Sequence, residues 1–440
     1  MKISFPRPVL ASKTGFRFAG LALLLLLASL GNALAGGYAV PHQTAMAVGQ
    51  ANAVTAGVKD SSAVYYNPAA LTEIEGNQFT GGLNYINTVS SVENGGRRAV
   101  NIHDDSFIPT FFANFHIPKT DFTLGFGSYT PFGLATSYRD DTIVRFASIR
   151  SELKPFYLNW AAAWRISDLI SIGAGASYVR GSATLTRAIF LDALGIGIPD
   201  GRARITGTDQ TFAYNFGLLI KPQDTIKLGL TYRGRAYLDF EGANVKFADF
   251  DGTPTNTKVS EGGSLVLPAM VSAGINWQVT PRWSLEFVYD WTKWDDFKNF
   301  KTTFATPLPA LGGAAPITGI FINADWKNTS TLRLGTLFHL TESWDLMAGI
   351  TWDETPIPSK TLSPIIPGAD LLTLNGGVSY TWRKLQLAVG YMAVFYETRN
   401  VQNNVLEANA PPPFIQPFTP GRDKYETFQN FVSISLRYRF

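Results

Sequence analysis

The feature that most constrains the fold is a repeated alternation of apolar and polar side chains. The alternation has a period of two residues and runs through four segments, which are 226–240, 283–291, 385–395 and 432–440. This period is typical of β-strands that present one apolar face and one polar face. A soluble β-sandwich and a transmembrane barrel both contain such strands, so a second observation is needed to separate them.

The lengths of the connections between the strands separate these alternatives. Tight turn signals fall at six places: Pro118–Asp121, Ser167–Asp168, Lys221–Asp224, Thr280–Arg282, Glu342–Ser343 and Arg383–Lys384. They divide the chain into seven hairpins, hence fourteen strands, and each hairpin has one long connection at its other end. Short turns at one end and long loops at the other are typical of bacterial outer-membrane barrels. Such barrels also have aromatic residues near the strand ends, as at Trp164, Trp277, Trp344, Trp352 and Trp382.

We therefore predict an all-β transmembrane fold, a 14-stranded antiparallel outer-membrane β-barrel over residues 77–440. Its apolar face must point toward lipid. Fourteen strands enclose a lumen wider than that of the filled small barrels, so an empty lumen would leak. Residues 36–76 have little charge, no alternation and many small side chains. We expect them to fold inside the barrel as an N-terminal hatch that plugs the lumen; a disordered periplasmic extension is the alternative.

Residues 1–35 are typical of a secretory signal peptide. Four basic residues precede an apolar core from Leu21 to Leu30, and Ala33-Leu34-Ala35 matches a cleavage site. The core is shorter than the ~20 residues that span a bilayer as a helix. Cleavage near Ala35 would remove those four positive charges and no negative one, which takes the formal net charge from +3 to −1. A nearly neutral mature chain is not expected to bind nucleic acid.

Signals for catalysis or cofactor binding are nearly absent. The chain has no cysteine, and its four histidines are scattered without the His-Glu-x-x-His spacing of a metal site. The Gly-x-Ser-x-Gly signature of a serine hydrolase does not occur either. We expect no enzyme activity, no cofactor and no metal. A general porin and an outer-membrane lipid-modifying enzyme stay open as less favoured alternatives.

Several short motifs follow one another in a particular order along the chain. The first is Asn67-Pro68-Ala69, ahead of the first predicted strand. Later ones are Gly133–Thr136, Leu230–Arg233, Leu238–Phe240, Leu267-Pro268, Trp294 with Phe297 and Lys301, and Asp353 with Pro356 and Pro358. In this order they resemble the motifs of the FadL-type outer-membrane transporters of long-chain fatty acids and other hydrophobic compounds. Asn67-Pro68-Ala69 resembles the hatch motif of that family. The resemblance covers the whole mature chain.

The resemblance implies a monomeric, plugged barrel of the bacterial outer membrane that takes up hydrophobic compounds, most of all long-chain fatty acids. Uptake of aromatic hydrocarbons by the same route is the alternative. The ligand would be captured on apolar extracellular loops, which are costly to expose without a hydrophobic partner. The side chains expected to capture it are Ile189, Phe190, Leu191, Leu194, Ile196, Ile198, Phe304 and Leu308. Packing of these loops on one another is the other role open to them.

The resemblance also implies that the ligand passes to a lumenal pocket and leaves sideways into the membrane at a kinked strand three. The residues that would permit a kink are Gly125, Gly127 and Pro131. Glycine and proline interrupt strands. An ordinary strand end would contain them as well, so both interpretations stay open.

A fatty-acid carboxylate needs a cation in a poorly hydrated pocket. Strand parity turns Arg187 inward near the extracellular end, and Lys301 falls where the family has a basic residue. Arg233 and Arg235 also point inward by parity and are the next candidates. Each of the four could instead serve a lumenal salt bridge or be solvated.

The last predicted strand ends at Phe440, the final residue. A C-terminal aromatic residue resembles the insertion signal of outer-membrane barrels. We therefore expect the barrel-assembly machinery to recognise the terminal strand through Phe440, and outer-membrane lipid to surround the barrel.

Overall fold

The computed structural model describes residues 37–102, 105–189, 197, 199–248, 254–308, 316–403, 405 and 423–440. Fourteen strands follow one another around a closed ring, and every neighbouring pair is antiparallel. The ring consists of β1 (Gln78–Asn94), β2 (Ser106–His116), β3 (Phe122–Tyr129), β4 (Arg150–Arg165), β5 (Ile170–Ile189), β6 (Gly201–Gln223), β7 (Ile226–Arg233), β8 (Met270–Thr280), β9 (Trp283–Thr292), β10 (Thr329–His339), β11 (Trp344–Asp353), β12 (Leu371–Trp382), β13 (Leu385–Tyr396) and β14 (Asp423–Arg439).

The ring closes between its first and last strands. β14 pairs with β1 from Arg439 opposite Gln78 to Asp423 opposite Asn94. Closure removes the two exposed strand edges that an open sheet would present to lipid. The predicted 14-stranded antiparallel barrel is therefore confirmed, and each of the six turn signals joins two neighbouring strands of the ring.

The strands alternate between an exposed apolar face and a buried face that is largely polar. On β4, Phe156 and Trp160 are exposed, whereas Tyr157 and Asn159 are buried on the other side. The exposed face would be costly in water, and it suits the hydrocarbon of a bilayer. Phe440 follows β14, and the centre of its aromatic side chain lies 4.9 Å from that of Phe79 on the same exposed face. The role of Phe440 in assembly stays a prediction.

The longer connections, which are extracellular in barrels of this kind, contain shorter strands of their own. Asn244–Ala248 continues the pairing of β6, and Pro254–Gly262 pairs with Asn299–Leu308. The other short strands are Arg97–Val100, Leu134–Ser137, Ala236–Asp239, Ser264–Leu267, Ile317–Asn323 and Arg399–Val401. Several of them pair with strands of the ring and so extend the wall at that end.

Helical structure is sparse in the described residues. Two short α-helices, α1 (Ala45–Gly49) and α2 (Ala63–Tyr66), precede β1, and 3-10 turns occupy Pro68–Glu73, Trp294–Asp296 and Ser359–Thr361. The side chain of Thr44 caps α1 by accepting a hydrogen bond from the backbone of Ala47. No helix in these parts of the chain has the length and hydropathy needed to cross a membrane.

Candidate transport path

The N-terminal segment (residues 37–76) packs closely against inward-facing positions of several strands. The closest approaches occur where those positions are glycine. A Cβ atom at Gly335 of β10 would lie 2.3 Å from the carbonyl oxygen of Gln50, and one at Gly229 of β7 would lie 2.5 Å from that of Thr55. Any other residue would need the segment to move, because real Cβ atoms essentially never approach that closely. Glycine is therefore required there by backbone contact.

Two buried charged groups on the inner face also hold the N-terminal segment. Glu286 of β9 accepts hydrogen bonds from the backbone N–H of Ala56, at 2.6 Å, and from the side-chain amide of Asn276, at 3.0 Å. Arg333 of β10 donates to the carbonyl oxygen of Ala51. Parity places both side chains on the polar face, but the sequence contains no signal for their partners in the N-terminal segment, Ala56 and Ala51, which lie more than two hundred residues away in the chain.

The motif Asn67-Pro68-Ala69 forms a fully buried junction between the N-terminal segment and the wall. The side-chain amide of Asn67 donates to the carbonyl oxygens of Thr55, at 2.8 Å, and of Leu218 in β6, at 3.2 Å. Its Oδ1 atom accepts from the backbone N–H of Ala69 at 3.1 Å. Pro68 begins the 3-10 turn, where its missing N–H costs nothing. An asparagine is needed because one side chain supplies both donors and an acceptor.

The ladder beside β3 is interrupted at residues 130–133. β3 pairs with β4 as far as Tyr129, and pairing with β4 resumes at Leu134, opposite Leu153. On the other side, among the described residues, positions 106–110 of β2 pair with β1 alone. The wall therefore lacks strand pairing on both sides of the interruption.

Backbone groups at the interruption bond to the N-terminal segment instead of to a neighbouring strand. The backbone N–H of Val40 donates to the carbonyl oxygen of Pro131 at 2.7 Å, and that of Gly133 donates to the carbonyl oxygen of Tyr38 at 2.9 Å. Buried backbone polar groups need such partners. The interruption is thus satisfied from the inner side of the wall.

Three prolines surround the interruption, on three successive parts of the wall. Pro109 lies in β2, Pro131 in the interruption itself and Pro155 in β4. Proline has no backbone N–H. Each of these three residues therefore reduces by one the number of backbone donors that need a hydrogen-bond partner near the interruption. Of the three, Pro131 alone belongs to the predicted kink; a proline in each neighbouring strand is a further signal in the sequence. Gly125 and Gly127 lie within the paired part of β3.

A cavity of about 470 Å³ adjoins the interruption. Its lining contains the inward-facing residues Met392 and Phe431, together with Thr130 and Gly133 of the interruption. It also contains Phe107 and Phe156, which belong to the exposed faces of β2 and β4. The cavity is therefore lined from both faces of the wall.

A second, smaller cavity of about 100 Å³ is lined mainly by apolar side chains, among them Phe297, Phe300 and Trp326. Its one charged lining residue among those described is Glu152. Five residues line both cavities: Tyr38, Leu134, Glu152, Leu153 and Ile366. The apolar cavity and the larger cavity at the interruption are therefore neighbours, separated by a short stretch of shared wall.

Two of the arginines proposed for a ligand head group have protein partners. Arg233 is buried, donates to the carbonyl oxygen of Tyr65 at 3.0 Å and to the hydroxyl of Tyr129 at 3.2 Å, and lies over the ring of Tyr65. It thus joins the N-terminal segment to the last residue of β3. Arg235 is exposed and pairs with Asp296 at 3.3 Å.

The other two basic candidates lie apart from the cavities. Arg187 is partly buried near the end of β5, opposite Ala203. Lys301 is exposed, and alternation along its strand places it on the face opposite to Phe300, which lines the apolar cavity. Neither Arg187 nor Lys301 lines either of the two cavities. A head-group role for these residues stays a prediction.

The apolar residues expected to capture a ligand are only partly described. Ile189, Phe304 and Leu308 are buried in one apolar cluster that includes Phe247 and Ile320. The remaining candidates lie outside the described residues: Phe190, Leu191, Leu194, Ile196 and Ile198. Capture by this set stays a prediction.

Asp370, just before β12, has an environment that should make stability depend on pH. Burial and the neighbouring Glu397 raise the pKa of Asp370 from 3.8 to about 7, although Arg399 and Lys327 act in the opposite direction. Between pH 3.8 and about pH 7, Asp370 in the folded protein keeps a proton that Asp370 in the unfolded chain has released. The folded state therefore loses stability as the pH rises through this window.

We expect Asp370→Asn to remove this loss. The variant should be more heat-stable than the wild type at pH 8, and the difference should shrink toward pH 4, where the wild-type carboxyl is largely protonated. The midpoint temperature of heat-modifiability on gels, measured across this pH range, checks it. An unchanged pH dependence in the variant would contradict the assignment to Asp370.

Comparison with known proteins places the chain in a family. Residues 25–440 match the family described as outer membrane protein transport protein (OMPP1/FadL/TodX). The chain is 25% identical over 428 residues to the long-chain fatty acid transport protein of Escherichia coli K12, covering 87% of this chain and 93% of that relative. It is 23% identical over 428 residues to outer membrane protein P1 of Haemophilus influenzae strain Rd, and the match covers 84% of this chain and 88% of that relative.

Solved structures share the fold. A Pseudomonas aeruginosa FadL homologue superposes with a TM-score of 0.77 at 20% identity, and the match covers 92% of this chain and 100% of that homologue. The toluene transporter TodX of P. putida superposes with a TM-score of 0.70 at 16% identity, and the match covers 91% of this chain and 99% of TodX.

A closed antiparallel barrel whose outward face is apolar is the architecture of an outer-membrane protein. The chain belongs to the OMPP1/FadL/TodX family of outer-membrane transport proteins. The predicted family and outer-membrane location are confirmed.

Proposed function

We propose that this protein takes up hydrophobic compounds across the outer membrane, with long-chain fatty acids as the first candidate. The observation that carries the proposal is the apolar cavity and its neighbour at the interrupted wall, which share five lining residues. A chain of adjoining cavities between the outer loops and lipid suits a ligand that avoids water. The name of the E. coli relative supports fatty acids.

We infer that the path begins at the outer end, enters the apolar cavity and leaves sideways at residues 130–133. The N-terminal segment would act as a hatch, since its contacts with β7 and β10 and the motif at Asn67 fix it to the inner face. Residues 1–35 would be removed as a signal peptide on export. A sideways exit spares the ligand a crossing through the polar lower lumen.

Aromatic hydrocarbons are the second candidate, and one observation favours them. The apolar cavity has rings of Phe297, Phe300 and Trp326 in its lining, and among its described lining residues the only charge is the carboxylate of Glu152. A fatty-acid carboxylate would find no cation there, whereas a neutral ring would need none. The name of TodX supports this candidate.

Filling the apolar cavity tests the proposal. Ala183 of β5 lines the cavity, so Ala183→Trp should occupy it and lower uptake about tenfold, the equivalent of about 1.4 kcal/mol. Ala174→Trp is the matched control, because Ala174 is exposed on the outer face of the same strand. Uptake of radiolabelled oleate and of toluene by cells that express each variant is the measurement. If Ala183→Trp transports both compounds at the wild-type rate, the cavity is not on the path.

A further inference from the structure

The outward face of β4 changes character at the level of the interrupted wall. Below that level its outward side chains are apolar, at Phe156, Leu158, Trp160, Ala162 and Trp164. Above it the next three outward positions are charged, at Lys154, Glu152 and Arg150. The change falls between Lys154 and Phe156, where β4 has no partner on the β3 side.

The height of this change can be estimated from strand geometry. Ten residues separate Trp164, next to a short turn, from Lys154. At about 3.3 Å per residue and a tilt of about 40°, they rise about 25 Å, which is the height of the apolar band of such barrels. Lys154 therefore lies at the outer edge of the band, and Glu152 and Arg150 lie about 5 and 10 Å beyond it.

Two bases share a single acid in this charged group. Lys154 pairs with Glu152, and a guanidinium nitrogen of Arg150 lies 3.4 Å from the same Glu152 carboxylate. The side chains of Lys154 and Arg150 are 66% and 45% exposed, and all three residues line the cavity at the interruption. The group therefore has one positive charge in excess where the cavity meets the lipid face.

We propose that Lys154 and Arg150 bind the anionic head group of an acidic ligand as it leaves through the interrupted wall. This inference rests on the proposed function. An amphiphile at this level can place its tail in hydrocarbon while its carboxylate stays at the interface, so the charge never has to cross the apolar band. Charge-assisted hydrogen bonds from the two bases suit a carboxylate.

A second group of the same composition provides the control. Glu426 pairs with Arg98 at 3.4 Å and with Lys424 at 2.6 Å, again with exposed side chains. None of these three residues lines the cavity at the interruption. The variants Lys154→Gln/Arg150→Gln and Lys424→Gln/Arg98→Gln therefore remove equal charge from similar surroundings.

Uptake of oleate and of its neutral methyl ester by cells that express each variant tests the proposal. We expect the Lys154→Gln/Arg150→Gln variant to take up oleate about fivefold more slowly, as for loss of a partly exposed ion pair, and methyl oleate at the wild-type rate. The control variant should take up both normally. Heat-modifiability checks that each barrel is folded, and the single variant Lys154→Gln gives the same comparison if the double variant does not fold.

Other outcomes overturn the inference in distinguishable ways. Unchanged oleate uptake would exclude a role for the two bases in transport. Equal losses for oleate and methyl oleate would overturn head-group binding by the two bases. Less lipid A phosphate on the purified variant would then assign the bases to an outer-leaflet lipid phosphate. If the wild type itself takes up neither compound, the proposed function fails, and the inference fails with it.

Discussion

Replacing Gly335 with valine should destabilise the folded protein by about 1–3 kcal/mol or more, the usual size of an overpacking effect. A Cβ atom there would lie 2.3 Å from the carbonyl oxygen of Gln50 and 2.9 Å from the Cβ of Ala53. Because the first neighbour is backbone, a rotamer change cannot relieve the contact. The N-terminal segment must move, so we also expect cells that express the variant to admit large polar antibiotics such as vancomycin.

Gly81→Val is the matched control for this substitution. A Cβ atom at Gly81 of β1 would have no other atom within 4 Å, and the neighbours Phe79 and Leu83 on the same face are exposed. Valine is preferred over glycine in strands, so this variant should be as stable as the wild type or slightly more. Unfolding by urea in lipid vesicles measures both variants. Equal stabilities for the two would show that the N-terminal segment does not press on β10.

The barrel could be predicted from sequence because its signals are local. Alternation within one strand and a short turn between two strands are visible in a window of about ten residues. The turns at Ser167–Asp168 and Arg383–Lys384, for example, need no knowledge of distant residues. Once the strands are counted, closure of the ring follows from the cost of an open edge in lipid.

The contacts inside the barrel could not be predicted in the same way. Parity correctly turns Arg233 inward, but its partners depend on where Tyr65 and Tyr129 lie, and those are 168 and 104 residues away in the chain. The same holds for the contact between Glu286 and the backbone N–H of Ala56, which is 230 residues away in the chain. A backbone amide has no sequence signature, so such a contact becomes visible only in three dimensions.

The candidate cations illustrate a further limit of parity. Parity distinguishes the two faces of a strand, but it does not show where along the barrel a cavity lies. Lys301 is a candidate through the family resemblance, whereas Lys154 and Arg150 lie on an outward face and line the cavity all the same. Lys154 lies beside the interruption, and Arg150 lies above it, opposite Ser137. Three prolines, at 109, 131 and 155, are the sequence signal for that interruption.

Replacing Asp290 with asparagine should lower the free energy of unfolding by about 3–5 kcal/mol, as expected when one partner of a buried ion pair is removed. The Nε atom of Arg333 lies 2.7 Å from Asp290 Oδ2, and the two side chains are 5% and 9% exposed. Asparagine keeps the size of the side chain but removes the paired counter-charge of the guanidinium, although Asp353 still acts on it. Arg333 also donates to Ala51, so the N-terminal segment should loosen as well.

The pair Arg139–Asp141 provides the control for Asp290→Asn, because its nitrogen–oxygen distance is also 2.7 Å but its side chains are 72% and 61% exposed. Asp141→Asn should change the free energy of unfolding by less than about 1 kcal/mol. The double variant Asp290→Leu/Arg333→Met should lose less stability than Asp290→Asn alone, since no buried charge is left without a partner. Urea unfolding in vesicles compares all three. A loss for Asp290→Asn no larger than that for Asp141→Asn would show that water reaches the inner pair and that burial does not set its strength.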